Sequence, residues 1–144
     1  MSGFLLDTNV LSELRKGSRC DPGVRDWMEG AVAEELFVSV MVLGEIRHGI
    51  ERIRIRDQNQ ARALEKWLQS LTTEFADRIL PVDERVADQW GRIGLRQPVP
   101  LLDAFLAATA LVHDLTVVSR DEDGFRNTGV RLLNPFSKSK PQGR

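Results

Sequence analysis

One cysteine is too few for an internal disulfide, and Cys20 has no second thiol to meet anywhere in the 144 residues. No CxxC pair and no cluster of Cys with the two histidines occurs, which argues against zinc and iron–sulfur sites. Cys20 lies in a polar stretch, Gly17-Ser18-Arg19-Cys20-Asp21-Pro22-Gly23, with nothing visible to activate a thiolate, so no chemical role is expected for it. Long apolar runs are missing too: none approaches the ~18 residues that a membrane helix requires. The N-terminus has only Phe4-Leu5-Leu6 before Asp7 and no basic region ahead of it, unlike a secretory signal. A cytoplasmic protein with no membrane partner is the expectation. Charge of one sign is absent as well. Twenty Lys and Arg against 21 Asp and Glu leave a net charge of -1, so total charge does not advertise a nucleic-acid binder. What is present is ordinary for a globular chain: 42% hydrophobic and 28% charged residues, enough to build one core and too apolar for disorder.

Short apolar runs alternate with helical periodicities, which predicts a parallel α/β sheet. Phe4–Leu6 reads as a buried strand, with Asp7-Thr8-Asn9 starting a helix that carries Val10, Leu11 and Leu14. Pro22 opens the next helix at its first turn. Residues 36–42 (LFVSVMV) read as a second strand, with helical period from Glu45 through Ile46, Ile50 and Ile53. Residues 57–75 form another helix, so the two pair as a helical hairpin. Strands follow at 79–82, 115–118 and 130–133. Asp83-Glu84 caps a helix carrying Val86, Trp90 and Ile93, and Leu101–His113 is apolar on nearly every face and therefore buried. No repeat or linker divides the chain. A single domain over 1–136 is expected, with 137–144 (SKSKPQGR) unable to bury anything and expected to be disordered.

Four acids sit where packing alone would not ask for them. Asp7 ends the first strand and Asp121 follows the 115–118 strand, while Glu45 and Asp103 are read at helix starts. In open α/β sheets, ligands bind outside the carboxyl ends of the strands, so the four can converge on one edge. Each also has a plain structural use: a helix cap for Asp7 and Asp103, a first-turn acid for Glu45, a turn residue for Asp121. Gathered carboxylates repel one another unless a cation lies between them, and an all-oxygen set selects Mg²⁺ or Mn²⁺. The chemistry implied is metal-assisted phosphodiester hydrolysis. Arg47, Arg52 and Arg54 begin an arginine-rich stretch that suits phosphate contacts, with a solvated helix face as the alternative. His48 and His113 are read as structural, and Trp27, Trp67 and Trp90 as packing residues on apolar stripes.

Motifs in the chain resemble the PIN-domain family, in the VapC and FitB-like branch of type II toxin–antitoxin toxins. The likeness rests on LLDTNVLSEL (5–14), on Gly44-Glu45-Ile46-Arg47-His48-Gly49 with a Gly four residues after the Glu, on LDAFLAATA (102–110), and on LTVVSRDEDGF (115–125). It extends from about residue 3 to 136 in order. What the resemblance implies is an α/β/α sandwich with a central parallel sheet and a protruding helical hairpin. It also implies a Mg²⁺ (or Mn²⁺) endoribonuclease, typically a homodimer restrained by a cognate VapB-like antitoxin. By motif position the acidic set is Asp7, Glu45, Asp103 and Asp121, with Thr8 and Ser119 supporting. The fourth motif offers Asp123 besides Asp121. Two other readings compete: a PIN-fold binder that regulates with a DNA-binding partner without cutting, and a phospho-acceptor domain, for which no early acidic pair or late Lys is found.

Overall fold

A computed structural model describes residues 3–137. Five strands pair in parallel in the order β3-β2-β1-β4-β5, with β1 Phe4–Leu6, β2 Leu36–Ser39, β3 Ile79–Leu80, β4 Thr116–Val118 and β5 Leu132–Leu133. The central strand is β1, whose Leu5 and Leu6 are fully buried beside Val38, Val117 and Val118. Strands covered on both faces lose the polar alternation of a half-exposed sheet, which is why these runs are continuously apolar. The order reverses between β1 and β4, and that break places the carboxyl ends of both strands beside a crevice.

Seven helices are described: α1 Thr8–Leu14, α2 Pro22–Gly30, α3 Val40–Arg54, α4 Gln58–Glu74, α5 Glu84–Trp90, α6 Leu101–His113 and α7 Glu122–Phe125. Most starts follow the capping residues legible in the chain. Asp7, Asp21, Asp57, Asp83 and Asp121 each accept a backbone N–H at the N-cap of the helix that follows. The α3–α4 hairpin is present, with Ile46, Ile50, Leu64, Leu68 and Leu71 buried. The α6 helix holds Ala104, Leu106, Ala107, Ala108 and Ala110 in the interior.

Several expected boundaries move. β3 ends at Leu80 rather than at 82, β4 begins at Thr116 rather than at 115, and β5 begins at Leu132 rather than at 130. Residues 40–42 are helix rather than strand, because Ser39 ends β2 and its Oγ accepts from the Met41 N–H at 3.0 Å as the N-cap of α3. Val40 and Val42 carry β-branched side chains, yet the cap overrides that weak preference. Glu45 is therefore the sixth residue of α3, not a first-turn acid. The helix with Val86 and Trp90 ends at Trp90, leaving Ile93 beyond it. Leu101, expected to be enclosed, is 62% exposed. Ser137 is held by Asp21, whose Oδ2 accepts its N–H at 2.9 Å, and the remainder of the tail, 138–144, lies outside the described residues. Among the described residues, no helix is long and apolar enough to cross a membrane.

Candidate active site

Asp7 leaves β1 and caps α1, so a single residue joins a strand end to a helix start. Its backbone N–H donates to Val118 O at 3.0 Å, which fixes it beside β4. Its carboxylate is only 5% exposed; Oδ1 accepts the Thr8 N–H at 2.7 Å and Oδ2 accepts the Ser119 hydroxyl at 2.7 Å. Ser119 has no exposure at all and serves as a hub. While donating to Asp7, its Oγ accepts from Asn9 Nδ2 at 3.1 Å and from the Asp121 N–H at 2.9 Å. Asn9 closes the circuit, since its Oδ1 accepts the Arg120 N–H at 3.1 Å. The loop after β4 is thereby pinned to the end of β1, and the separation of Asp7 from Asp121 is set by hydrogen bonds.

Asp121 caps α7 through an Oδ1 that accepts the Gly124 N–H at 3.0 Å. Asp103 lies in the first turn of α6, after Pro100, and is 7% exposed without serving as the N-cap. Glu45 projects from the second turn of α3, exposed, and its Oε1 accepts the Thr8 hydroxyl at 2.5 Å. All four acids line one cleft of about 360 Å³ together with Thr8, Asn9 and Leu102. The chain thus brings together residues as far apart as 7 and 121. Asp123, the other acid of the fourth motif, points away; it is exposed and pairs with Arg126 at 2.6 Å.

Proximity perturbs the acids. Burial pushes the Asp103 carboxyl up to about 7; the hydrogen bond and charge of Asp121 add to this, followed by the charges of Asp7 and Glu45. Burial also raises Asp7, and Glu45 and Asp121 act in the same direction, while the hydrogen bonds from Ser119 and the Thr8 amide pull it back. Asp103 and Asp121 face each other across Gly124, and the Asp121 side chain disfavours ionisation of Asp103. Gly124 sits against this pair: a Cβ on it would overlap both Asp103 Oδ2 and Asp121 Oδ2. Gly124→Ala is expected to leave the fold intact, because two carboxylate ends can move aside. Displacing them should weaken the binding of a divalent cation to the cleft by about tenfold or more. Calorimetric titration with Mn²⁺ and circular dichroism measured together check this, and unchanged binding by a folded variant would show that the pair's position is not critical.

The donor chemistry suits a hard divalent cation: carboxylate oxygens, a threonine and a serine hydroxyl, and no histidine or thiolate. With the side chains as they stand, no three His, Cys, Asp or Glu residues among those described are spaced to hold one ion. The strain recorded by Asp103 points the same way as the donor set, since a cation between the acids would offset the repulsion that now disfavours its ionisation.

The arginines are arranged differently. Arg47 and Arg54 reach back to Glu51 and Glu65 in an ion-pair network across the α3–α4 hairpin, and both arginines hold the Glu51 carboxyl down at about 2. Their charge is largely matched by these acids. Arg52 is exposed on the same helix. Asn9 and Gly124 are the site residues that sequence reasoning passed over. Asn9 reads as a capping residue in Asp7-Thr8-Asn9, and only the approach of Ser119 and Arg120 from 110 residues away reveals its second task.

Comparison with known proteins adds an independent line. Residues 4–130 match the PIN domain family. Toxin FitB of Neisseria gonorrhoeae is 33% identical over 140 residues, spanning 92% of this chain and 98% of that protein. Ribonuclease VapC4 of Mycobacterium tuberculosis is 30% identical over 127 residues, spanning 83% and 86%. The crystal structure of FitAcB from Neisseria gonorrhoeae is similar with a TM-score of 0.81 and 33% identity, covering 92% of this chain and 97% of that one.

Proposed function

Because this chain belongs to the PIN-domain family, whose match spans residues 4–130, we propose that it is the toxin of a toxin–antitoxin pair and cleaves RNA in the cleft of Asp7, Glu45, Asp103 and Asp121. The observation that carries the reading is the convergence of four acids on the carboxyl edge of a parallel sheet, in relatives' company that includes a named toxin and a named ribonuclease.

Asp7, Glu45, Asp103 and Asp121 would hold Mg²⁺, or Mn²⁺ in its place. When bound, such an ion lowers the pKa of a coordinated water and stabilises charge on the attacked phosphate. The chain's own residues prepare that chemistry. Ser119 and the Thr8 amide fix the Asp7 carboxylate so that its remaining lone pairs face the cleft. Asn9 and Ser119 set Asp121 at a constant distance from Asp7. Thr8 orients Glu45 across the cleft. Burial and the facing acids hold the Asp103 carboxyl up at about 7, and a cation held there would favour its charged form. The reaction adds water across one phosphodiester P–O bond of RNA.

An antitoxin that covers this cleft would restrain the activity in the cytoplasm. The exposed apolar side chains of Trp90, Leu101 and Leu111 on α5 and α6 offer surface for assembly with a second copy. The test is incubation of the purified, antitoxin-free chain with total bacterial RNA, with Mg²⁺ or Mn²⁺ and with EDTA. Discrete fragments that require the divalent ion are the expected outcome. RNA binding without cleavage under any of these conditions would instead mark a PIN-fold regulator that binds nucleic acid without cutting it.

A further inference from the structure

A second recess adjoins the acidic cleft. It has a volume of about 220 Å³ and shares Thr8 and Glu45 with the cleft, so the hydrogen-bonded pair forms their common rim. From that shared edge it runs between α1, α3 and α4 over Gly49, between the aliphatic walls of Ile50 and Ile53, and ends at Trp67 and Arg15. Three features are unexplained by the folding of the chain alone. Gly49 is the tenth residue of a 15-residue helix, where glycine weakens the helix relative to alanine. A Cβ there would meet nothing within 4 Å, so no neighbour within the chain demands its absence. Trp67, which periodicity places in the core, is only partly buried, and the exposed Arg15 guanidinium lies over its ring at 5.8 Å from the centroid.

Glycine in a helix facing a recess permits a flat group to approach the backbone closely. Arginine layered on tryptophan forms a platform on which a nucleobase can stack, and arginine also meets phosphate. We infer that the groove over Gly49, between Thr8 and the Arg15–Trp67 pair, is a subsite for one unpaired base of single-stranded RNA next to the phosphate that is cut. The inference rests on the nuclease reading for the word "cut" and on the groove itself for the word "base". The shared rim argues for this occupant: a strand whose phosphate lies at the acidic cleft can pass its neighbouring nucleoside over the Thr8–Glu45 edge into the groove. An apolar trough with a cation at its far end matches a base followed by the next phosphate.

Binding and cleavage separate the two readings. A fluorescent random-sequence 12-nucleotide RNA and a fully abasic 12-nucleotide strand of equal charge are titrated with the full chain in EDTA. The native chain should bind the base-carrying strand about tenfold more tightly. Gly49→Leu fills the trough, keeps or raises the melting temperature, and should lose most of that preference. Arg15→Ala, which removes one half of the platform and one cation, should weaken the abasic strand by about threefold and the base-carrying strand by more, and lower the slope of the salt dependence. With Mg²⁺ and total bacterial RNA, Gly49→Leu should change the base preference beside the cut. A native chain indifferent to the bases, or a Gly49→Leu variant that keeps the preference, overturns the subsite. So does a variant whose RNA binding is intact but whose binding of a protein partner is lost, because the groove then belongs to that partner. Base preference without cleavage would overturn the nuclease reading alone, and cleavage without base preference would overturn the subsite alone.

Discussion

At pH 8 and without divalent cations, Asp103→Asn should raise the melting temperature by about 5 °C, and Mg²⁺ should then stabilise the native chain far more than the variant. The sign follows from the direction of the shift. In the folded chain burial and three neighbouring acids push Asp103 from 3.8 up to about 7, so the native state binds the proton more tightly than the unfolded chain does. Stability is therefore highest at low pH with respect to this group. It falls as pH rises from about 4, and the full loss is reached above about 7. Water at the cleft and small movements of the facing side chains relax part of that penalty, so the single change recovers about 2 kcal/mol rather than the whole shift. Scanning calorimetry at pH 4, 6 and 8 in EDTA checks this: the gap between variant and native should be absent at pH 4 and widen to pH 8. A gap independent of pH would mean that folding does not shift the Asp103 pKa.

Asp7→Asn should reduce Mg²⁺-dependent RNA cleavage by about a thousandfold or more. The substitution keeps the side-chain shape and removes a carboxylate that three chain groups orient. It also places an amide donor where Oδ2 now accepts from Ser119. Ser119 Oγ already accepts from Asn9 and from the Asp121 N–H, so its hydroxyl must turn and the hub must rewire. Circular dichroism and a melting curve establish that the variant remains folded, so that loss of activity reports on the carboxylate. The control is Asp123→Asn, an exposed residue paired only with Arg126, which should cleave like the native chain. Retained cleavage by the Asp7 variant in a preparation free of other nucleases would move the chemistry out of this cleft.

Much of the fold was readable because its signals are local. Asp7 and Asp83 at helix starts and the continuous apolar run of Phe4–Leu6 act over a few residues, and the structure uses them where they stand, while the run at 115–118 becomes a strand from Thr116. The stretch 36–42 misleads because its β-branched residues speak for a strand while one serine hydroxyl, Ser39, turns the chain into a helix. That shift of a few residues carries Glu45 from a first turn to a second. The gathering of four acids could be anticipated from the rule that strand ends face the crevice. The agents that hold them could not: Asn9 meets Ser119 and Arg120 across more than 100 residues, and Gly124 matters only because two carboxylates close over it. The arginine stretch shows the opposite case. Spacing along one helix suggests a phosphate surface, but the partners of Arg47 and Arg54 include Glu65 on the next helix, which no period within α3 reveals.

The hub at Ser119 also sets a clock. Of the groups that build the cleft, Asp7 and Asn9 are among the earliest to be synthesised, while Ser119, Arg120 and Asp121 come near the end, and Phe136 then lies against the Arg120 guanidinium at 4.0 Å. Strand β1 cannot gain its neighbour β4 until more than 100 further residues have been made. At roughly 5–20 residues per second of synthesis, that interval lasts several seconds or longer. A partly made chain therefore carries every acid up to Asp103 without the clamp that positions Asp7, and the cleft comes into being only once residues 119–121 have been made.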